Sequence, residues 1–285
     1  HISMTSMSRW FGANRGKALA TAALGFSVAE AILPLSFVAL RSHLCATTLW
    51  VMAAGLALVS MVIVRWLLKA ERRPGDAGAE AQTVGRLADR HWQQRDALRH
   101  PLFWCVVPAI LGPAALMTAL FFHQIHFAET KGLSHFAFVS LIPVYTGSAV
   151  ATVFSSGLLI DRFGAWRLLG LHQLVFAFGF WVMATSPSVT GLAVAMICLG
   201  VGSGGMSTIP AAFWAECYGT RYIGAIKALG YSVMVVGSAL GPIICGQLID
   251  LGVDLPDQLP GFSLFFLVSA VLATAGTFGM LRKPV

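Results

Sequence analysis

Eight long apolar runs restrict this chain more than any other feature of its sequence. They cover roughly 16–40, 44–69, 102–127, 134–160, 166–186, 189–214, 222–250 and 261–281. About 20 apolar residues, coiled at about 1.5 Å per residue, cross the roughly 30 Å hydrocarbon layer of a bilayer. Inside hydrocarbon every backbone N–H and C=O must be bonded within the protein, which leaves helices or a closed barrel. Barrel strands alternate between lipid-facing and lumen-facing residues, and these runs do not alternate. The expected fold is therefore an all-α polytopic membrane protein with about eight transmembrane helices. With 57% hydrophobic and 11% charged residues, against about 25% charged in a soluble domain, a solvated globular fold, a coiled coil and a disordered tail are excluded.

The charges that remain define a topology. All but Arg41 and Lys131 of the 19 Lys and Arg residues fall in segments that eight spans would place on one side. By the positive-inside rule that side is the cytoplasm, so both ends of the chain are expected there, in a bacterial inner membrane. Glu129, Asp250, Asp254 and Asp257 lie opposite. The basic balance thus reads as membrane orientation, and no nucleic acid is expected. Cys45, Cys105, Cys198 and Cys245 lie within apolar runs and Cys217 just after one, without metal or redox spacing. His1 is not followed by signal-peptide order, and the chain reads as part of something longer.

The single long connection, 70–101, is the expected central loop. It opens on the polar, flexible Glu71-Arg-Arg-Pro-Gly-Asp-Ala-Gly-Ala. Val84, Leu87, His91, Gln94 and Leu98 then recur at helical spacing, with Arg86, Arg90, Arg95 and Arg99 on other faces. Two readings fit equally: a short helix on an anionic leaflet, or a solvated charged linker.

An internal match points further. Leu24-Gly25-Phe26-Ser27-Val28, early in the first run, corresponds to Leu229-Gly230-Tyr231-Ser232-Val233 in the seventh. Arg15 and Arg221 precede the two matches, and Pro34 and Pro242 follow them. A match at equivalent helix starts, six spans apart, fits a transporter built from repeated halves. Four stretches then resemble the major facilitator superfamily. They are Ser8-Arg-Trp-Phe11 with Arg15-Gly16-Lys17-Ala18, and Arg95-Asp-Ala-Leu-Arg-His-Pro-Leu-Phe-Trp104, which is closest to monocarboxylate-transporter-like members. The others are Gly157-Leu-Leu-Ile-Asp161-Arg162-Phe-Gly164-Ala-Trp-Arg167 and Gly237-Ser-Ala-Leu-Gly241-Pro242.

The resemblance implies a major-facilitator-type helical bundle in which the eight spans are helices five to twelve and the N-terminal four are missing. Residues 1–69 would be the last two helices of the N-terminal half and 102–285 the whole C-terminal six-helix half. It implies a secondary transporter of a small solute, an organic acid by preference, working by alternating access with protons as a candidate coupling ion. The span 134–160 lacks the acidic–basic pair that monocarboxylate transporters carry in the matching helix. A non-transporting receptor or partner subunit with the same fold is the alternative.

Individual residues then take expected roles. Gly157, Asp161, Arg162, Gly164 and Arg167 form the gating loop at the cytoplasmic side: Gly157 for close helix approach, Gly164 for a tight reversal, and Asp161 to pair with a cation or a helix N-terminus. Glu30 is the one acid deep inside a run, where a carboxylate by default faces a cavity or partner and is suited to carrying a proton. His123, Gln124 and His126 line the outer mouth or lie in the interface. Their spacing with Glu129 lacks the second anchoring motif a zinc site needs, so no metal is expected. His172, Gln173, Tyr145, Tyr231 and Ser232 could bond a solute or simply another helix. Gly200-Val-Gly-Ser-Gly-Gly205 lies within an apolar run, not after a strand, so it is no phosphate loop. Gly200 with Gly204, and Gly237 with Gly241 beside Pro242, are helix-packing faces instead. No nucleophile–base pair or cofactor loop stands in the sequence, so neither an enzyme nor a cofactor is expected.

Overall fold

The computed structural model describes residues 15–41, 44–67, 86–87, 92–219 and 221–281. The Ser8–Phe11 motif, Val84, His91, Arg90 and the basic residues Arg9, Lys69, Arg72, Arg73, Arg282 and Lys283 lie outside the described residues. Among the described residues eleven helices run in the order α1 (Arg15–Arg41), α2 (Ala46–Leu67), α3 (Gln94–Arg99), α4 (Pro101–Phe122), α5 (Gln124–Thr130), α6 (His135–Val139), α7 (Ile142–Phe163), α8 (Ala165–Thr185), α9 (Val189–Tyr218), α10 (Ile223–Asp250) and α11 (Leu255–Leu281). Among the described residues there is no strand. Within the described residues seven segments are long and apolar enough to cross a membrane: those of α2, α4, α6 with α7, α8, α9, α10 and α11. The first expected span forms the continuous 27-residue helix α1.

Two expected spans carry a break. The run 102–127 ends as a helix at Phe122; His123 leaves helical geometry at φ −97° and ψ 23°, and α5 starts afresh at Gln124. The run 134–160 is interrupted between Val139 and Ile142, where Pro143 follows and supplies no N–H to continue the ladder. In the central loop Gln94–Arg99 is helical, while Arg86, Leu87, Trp92 and Gln93 are not.

The chain divides into two compact units, 1–81 and 82–285. In the first, Phe37 of α1 meets Trp50 of α2 edge to face at 5.9 Å. The rest of α2 presents Val51, Leu58, Met61, Val62 and Trp66 outward, an apolar surface suited to lipid rather than water.

In the second unit, extensive packing joins α8 to α11, α7 to α9, α8 to α9, α4 to α10 and α4 to α11. Exchanging α4 with α9, α7 with α10 and α8 with α11 returns the same set. The two triplets run in opposite senses, because α4 begins where α9 ends: the rings of His100 and Tyr218 lie 6.5 Å apart. This is an inverted repeat of three helices. Lipid supplies no hydrophobic drive between spans, so close contact depends on small residues. A β-carbon on Gly200 would strike the Tyr145 carbonyl, and one on Gly204 the Ala149 carbonyl, both of α7. Gly241 faces the Ala115 carbonyl of α4 in the same way, and a β-carbon on Gly237 would lie 2.9 Å from Leu111 O. Gly202 and Gly205, on the other side of α9, receive Phe176 and His172 of α8. Gly157 departs from its expected role: it is exposed on α7, and a β-carbon there would meet nothing within 4 Å.

Two apolar clusters fill the unit. One centres on Phe176, Phe180 and Phe266, with Phe176 and Phe266 stacked at 4.8 Å. The other holds Leu87, Trp92, Phe103, Trp166, Trp214 and Tyr218.

Candidate functional site

The turn between α7 and α8 is the most elaborate polar site in the second unit. Gly164 closes α7 at φ +79°, its N–H bonding Ile160 O at 2.8 Å. The backbone then enters α8, whose first N–H groups have no partner within the helix. Glu216, from the last turn of α9, supplies one: its Oε2 accepts from Ala165 N at 2.8 Å and Trp166 N at 3.4 Å. Its Oε1 pairs with Arg86 Nε at 2.9 Å. The same segment closes α9, for Arg86 N donates to Glu216 O and Leu87 N to Cys217 O, at 2.9 and 3.2 Å. The guanidiniums of Arg167 and Arg86 lie 4.6 and 5.9 Å from the ring centre of Trp166, within cation–π range. Arg86, Asp161, Arg162, Trp166, Arg167 and Glu216 line an open cavity of about 630 Å³ here.

Asp161 is expected to pair with a cation or with a helix N-terminus. Asp161 lies exposed on the cavity rim, and the carboxylate bonded to the N-terminus of α8 belongs to Glu216. A signal for Glu216 was available. An acid in the last turn of a helix opposes the macrodipole, so it must be compensated by something outside that helix.

The polar residues of the interior fall into separate places. Tyr145 Oη donates to Ser203 Oγ at 2.8 Å, joining α7 to α9, with Phe121 edge-on at 5.3 Å. His172, buried on α8, bonds the Gly202 carbonyl through Nε2, and Gln173 Nε2 lies 3.5 Å from its Nδ1. Gln173 is fully buried, and its Oε1 has no hydrogen-bond partner among the described residues. Tyr231 and Ser232 lie on an exposed face of α10, where Ser232 Oγ donates to Ala228 O. Glu30 is partly exposed on α1, one turn before Pro34.

At the opposite end of the second unit, His123 Nε2 donates to Pro242 O at 3.0 Å, bringing together a residue expected to line a mouth and one expected to bend a helix. His126 Nε2 lies 3.2 Å from Asp254 Oδ1, but off the line that a hydrogen bond requires. Lys131 Nζ donates to Ala184 O at 2.9 Å and Ser186 O at 3.3 Å, at the end of α8. Among the described residues no three His, Cys, Asp or Glu side chains are grouped to hold a metal ion.

A sequence profile described as the Major Facilitator Superfamily matches residues 1–242. Among curated proteins, the glucose transporter GlcP of Staphylococcus epidermidis is 32% identical over 90 residues, or 31% of this chain. That match covers 20% of the relative's own length.

Proposed function

The chain belongs to the major facilitator superfamily, and from that premise we propose that it works as part of a secondary transporter moving a small solute by alternating access. It is an integral membrane protein of helical-bundle type. The observation that carries the proposal is the six-helix body of inverted triplets, glycine-packed along α7–α9 and α4–α10. Such a body can rock as a unit around a site near the membrane midplane. The end bearing Arg86, Arg162 and Arg167 is assigned to the cytoplasm by the excess of basic residues, in a bacterial inner membrane. Residues 1–69 would complete the N-terminal half together with four upstream helices.

Two solute classes are open to test. The 95–104 pattern favours organic acids, and the relative's name favours a sugar. Within the described spans of the second unit the polar groups near the interior are neutral hydrogen-bonding ones, Tyr145, Ser203, His172 and Gln173. A neutral, hydroxyl-rich solute suits these groups better than a carboxylate, which would need a cation beside it. Glu30 is the candidate proton carrier.

The test is solute counterflow in proteoliposomes holding the full-length protein, with labelled glucose and a labelled monocarboxylate offered in parallel. Saturable exchange of glucose supports the reading, and exchange of the acid alone moves it to the second class. Protein that keeps its helical circular dichroism yet exchanges neither favours the non-transporting receptor. Glu30→Gln should abolish proton-driven accumulation while exchange survives; full concentrative uptake by that variant would make Glu30 a packing residue.

A further inference from the structure

His123 stands at the break between α4 and α5 and His126 within α5, and each reaches a different element. His123 Nε2 donates to Pro242 O of α10 at 3.0 Å. One turn on, a β-carbon on Gly246 would sit 3.4 Å from the His123 ring. His126 Nε2 lies 3.2 Å from Asp254 Oδ1, on the turn that starts α11, with the side chains 31% and 47% exposed. Beneath this end, in the apolar cluster, Cys245 is only 2% exposed.

The two histidines respond differently to acid. The His123 bond uses the proton of the neutral ring, so a second proton would go on Nδ1 and leave the bond in place. The His126 contact is close but misaligned, and neutral imidazole gains little from it. As imidazolium it would gain a charge-assisted hydrogen bond to a carboxylate. The other titratable and charged groups on the elements packed here are Glu129 of α5, His135 of α6, Asp250 of α10 and Asp257 of α11. Lys131 is already committed to the carbonyls of Ala184 and Ser186. Protonation thus adds a cation to a group of acids.

We propose that the α4–α5 elbow is a proton-operated clamp, in which protonated His126 locks onto Asp254 and holds this end of the bundle closed over Cys245. His123 is its fixed hinge pin and His126 its moving jaw. If this end faces outward, as the proposed orientation has it, the clamp closes in response to acid outside the cell. Closure and proton binding promote each other by linkage.

Cys245 reports closure without any need for transport. With Cys45, Cys105, Cys198 and Cys217 replaced by serine or alanine, its modification by 4,4′-dithiodipyridine is followed in nanodiscs and normalised to the unfolded protein at the same pH. For a partly exposed pair, the normalised rate should be about two- to fivefold lower near pH 5 than near pH 8, and high salt should shrink the difference. His126→Gln and Asp254→Asn should stay at the fast rate throughout. His126→Lys, permanently charged, should be slow throughout. His123→Gln keeps a donor for Pro242 O and should retain the pH dependence. A flat profile in the parent, a normal one in His126→Gln or Asp254→Asn, or its loss in His123→Gln instead, would each overturn the clamp.

Discussion

The two ends of α8 are anchored by opposite charges, and by different amounts of structure. At its N-terminus the Glu216 carboxylate accepts from Ala165 and Trp166 while holding Arg86. At its C-terminus the Lys131 ammonium donates to the carbonyls of Ala184 and Ser186. Each sign matches the helix macrodipole, and each charge comes from a different part of the chain. The first anchor ties three segments together, α8, α9 and the stretch before α3. The second ties one side chain to one helix end. A bundle held this unevenly should open more readily at the Lys131 end, where the neighbouring contacts are two histidines.

The largest expected effect tests the stronger anchor directly. Gly164 sits at φ +79°, and a β-carbon there would lie 3.0 Å from Trp166 and 3.1 Å from Glu216 Oε1. Gly164→Val should therefore combine backbone strain with displacement of the cap, lowering stability by about 3 kcal/mol. A fall in thermal midpoint, read by tryptophan fluorescence in detergent, measures it. Glu216→Ala comes next, at about 1–2 kcal/mol for a lost cap whose carboxylate is partly exposed. Asp161→Asn, on the rim of the same cavity, should leave the midpoint within experimental error. Equal effects of these two variants would return the anchoring role to Asp161.

The weaker end should yield smaller numbers. Gly252 also has positive φ, at +87°, but a β-carbon there would meet nothing within 4 Å. Gly252→Ala should cost only the conformational penalty, about 1 kcal/mol. Lys131→Met should cost about 0.5 kcal/mol, and less in high salt. If Lys131→Met proves as damaging as Glu216→Ala, the two ends are equally held and the contrast fails.

The architecture was legible because apolar runs of this length have few outcomes in lipid. The breaks inside two spans were less so: Pro143 marked one, but nothing next to His123 marked the other. The sites were harder still. Ala165 and Glu216 are 51 residues apart, and His123 and Pro242 are 119 apart. Periodicity reports which face of a helix is apolar, but not which distant helix supplies the missing charge. Asp161 drew attention by its place in the 157–167 motif, whereas the N-terminus of α8 is met by Glu216 from the end of another helix. Gly157 drew attention by its place in a motif, although it packs on nothing within the described residues.

The glycine seams have a consequence for ancestry. In both seams the glycines come from one triplet, on α9 and α10, while α7 and α4 offer main-chain carbonyls with the side chains of Ser148, Thr152 and Leu111 beside them. A carbonyl is offered by every residue type, so drift at 111, 115 and 149 is constrained by size and exposure but not by identity, whereas Tyr145 is also held by its bond to Ser203. The body is two-fold in shape, yet in these two seams the letters that enforce closeness sit on one side of the axis. Comparing residues 102–185 with 189–281 letter by letter would accordingly find little sign of a duplication, and superposing the two backbones would find it at once.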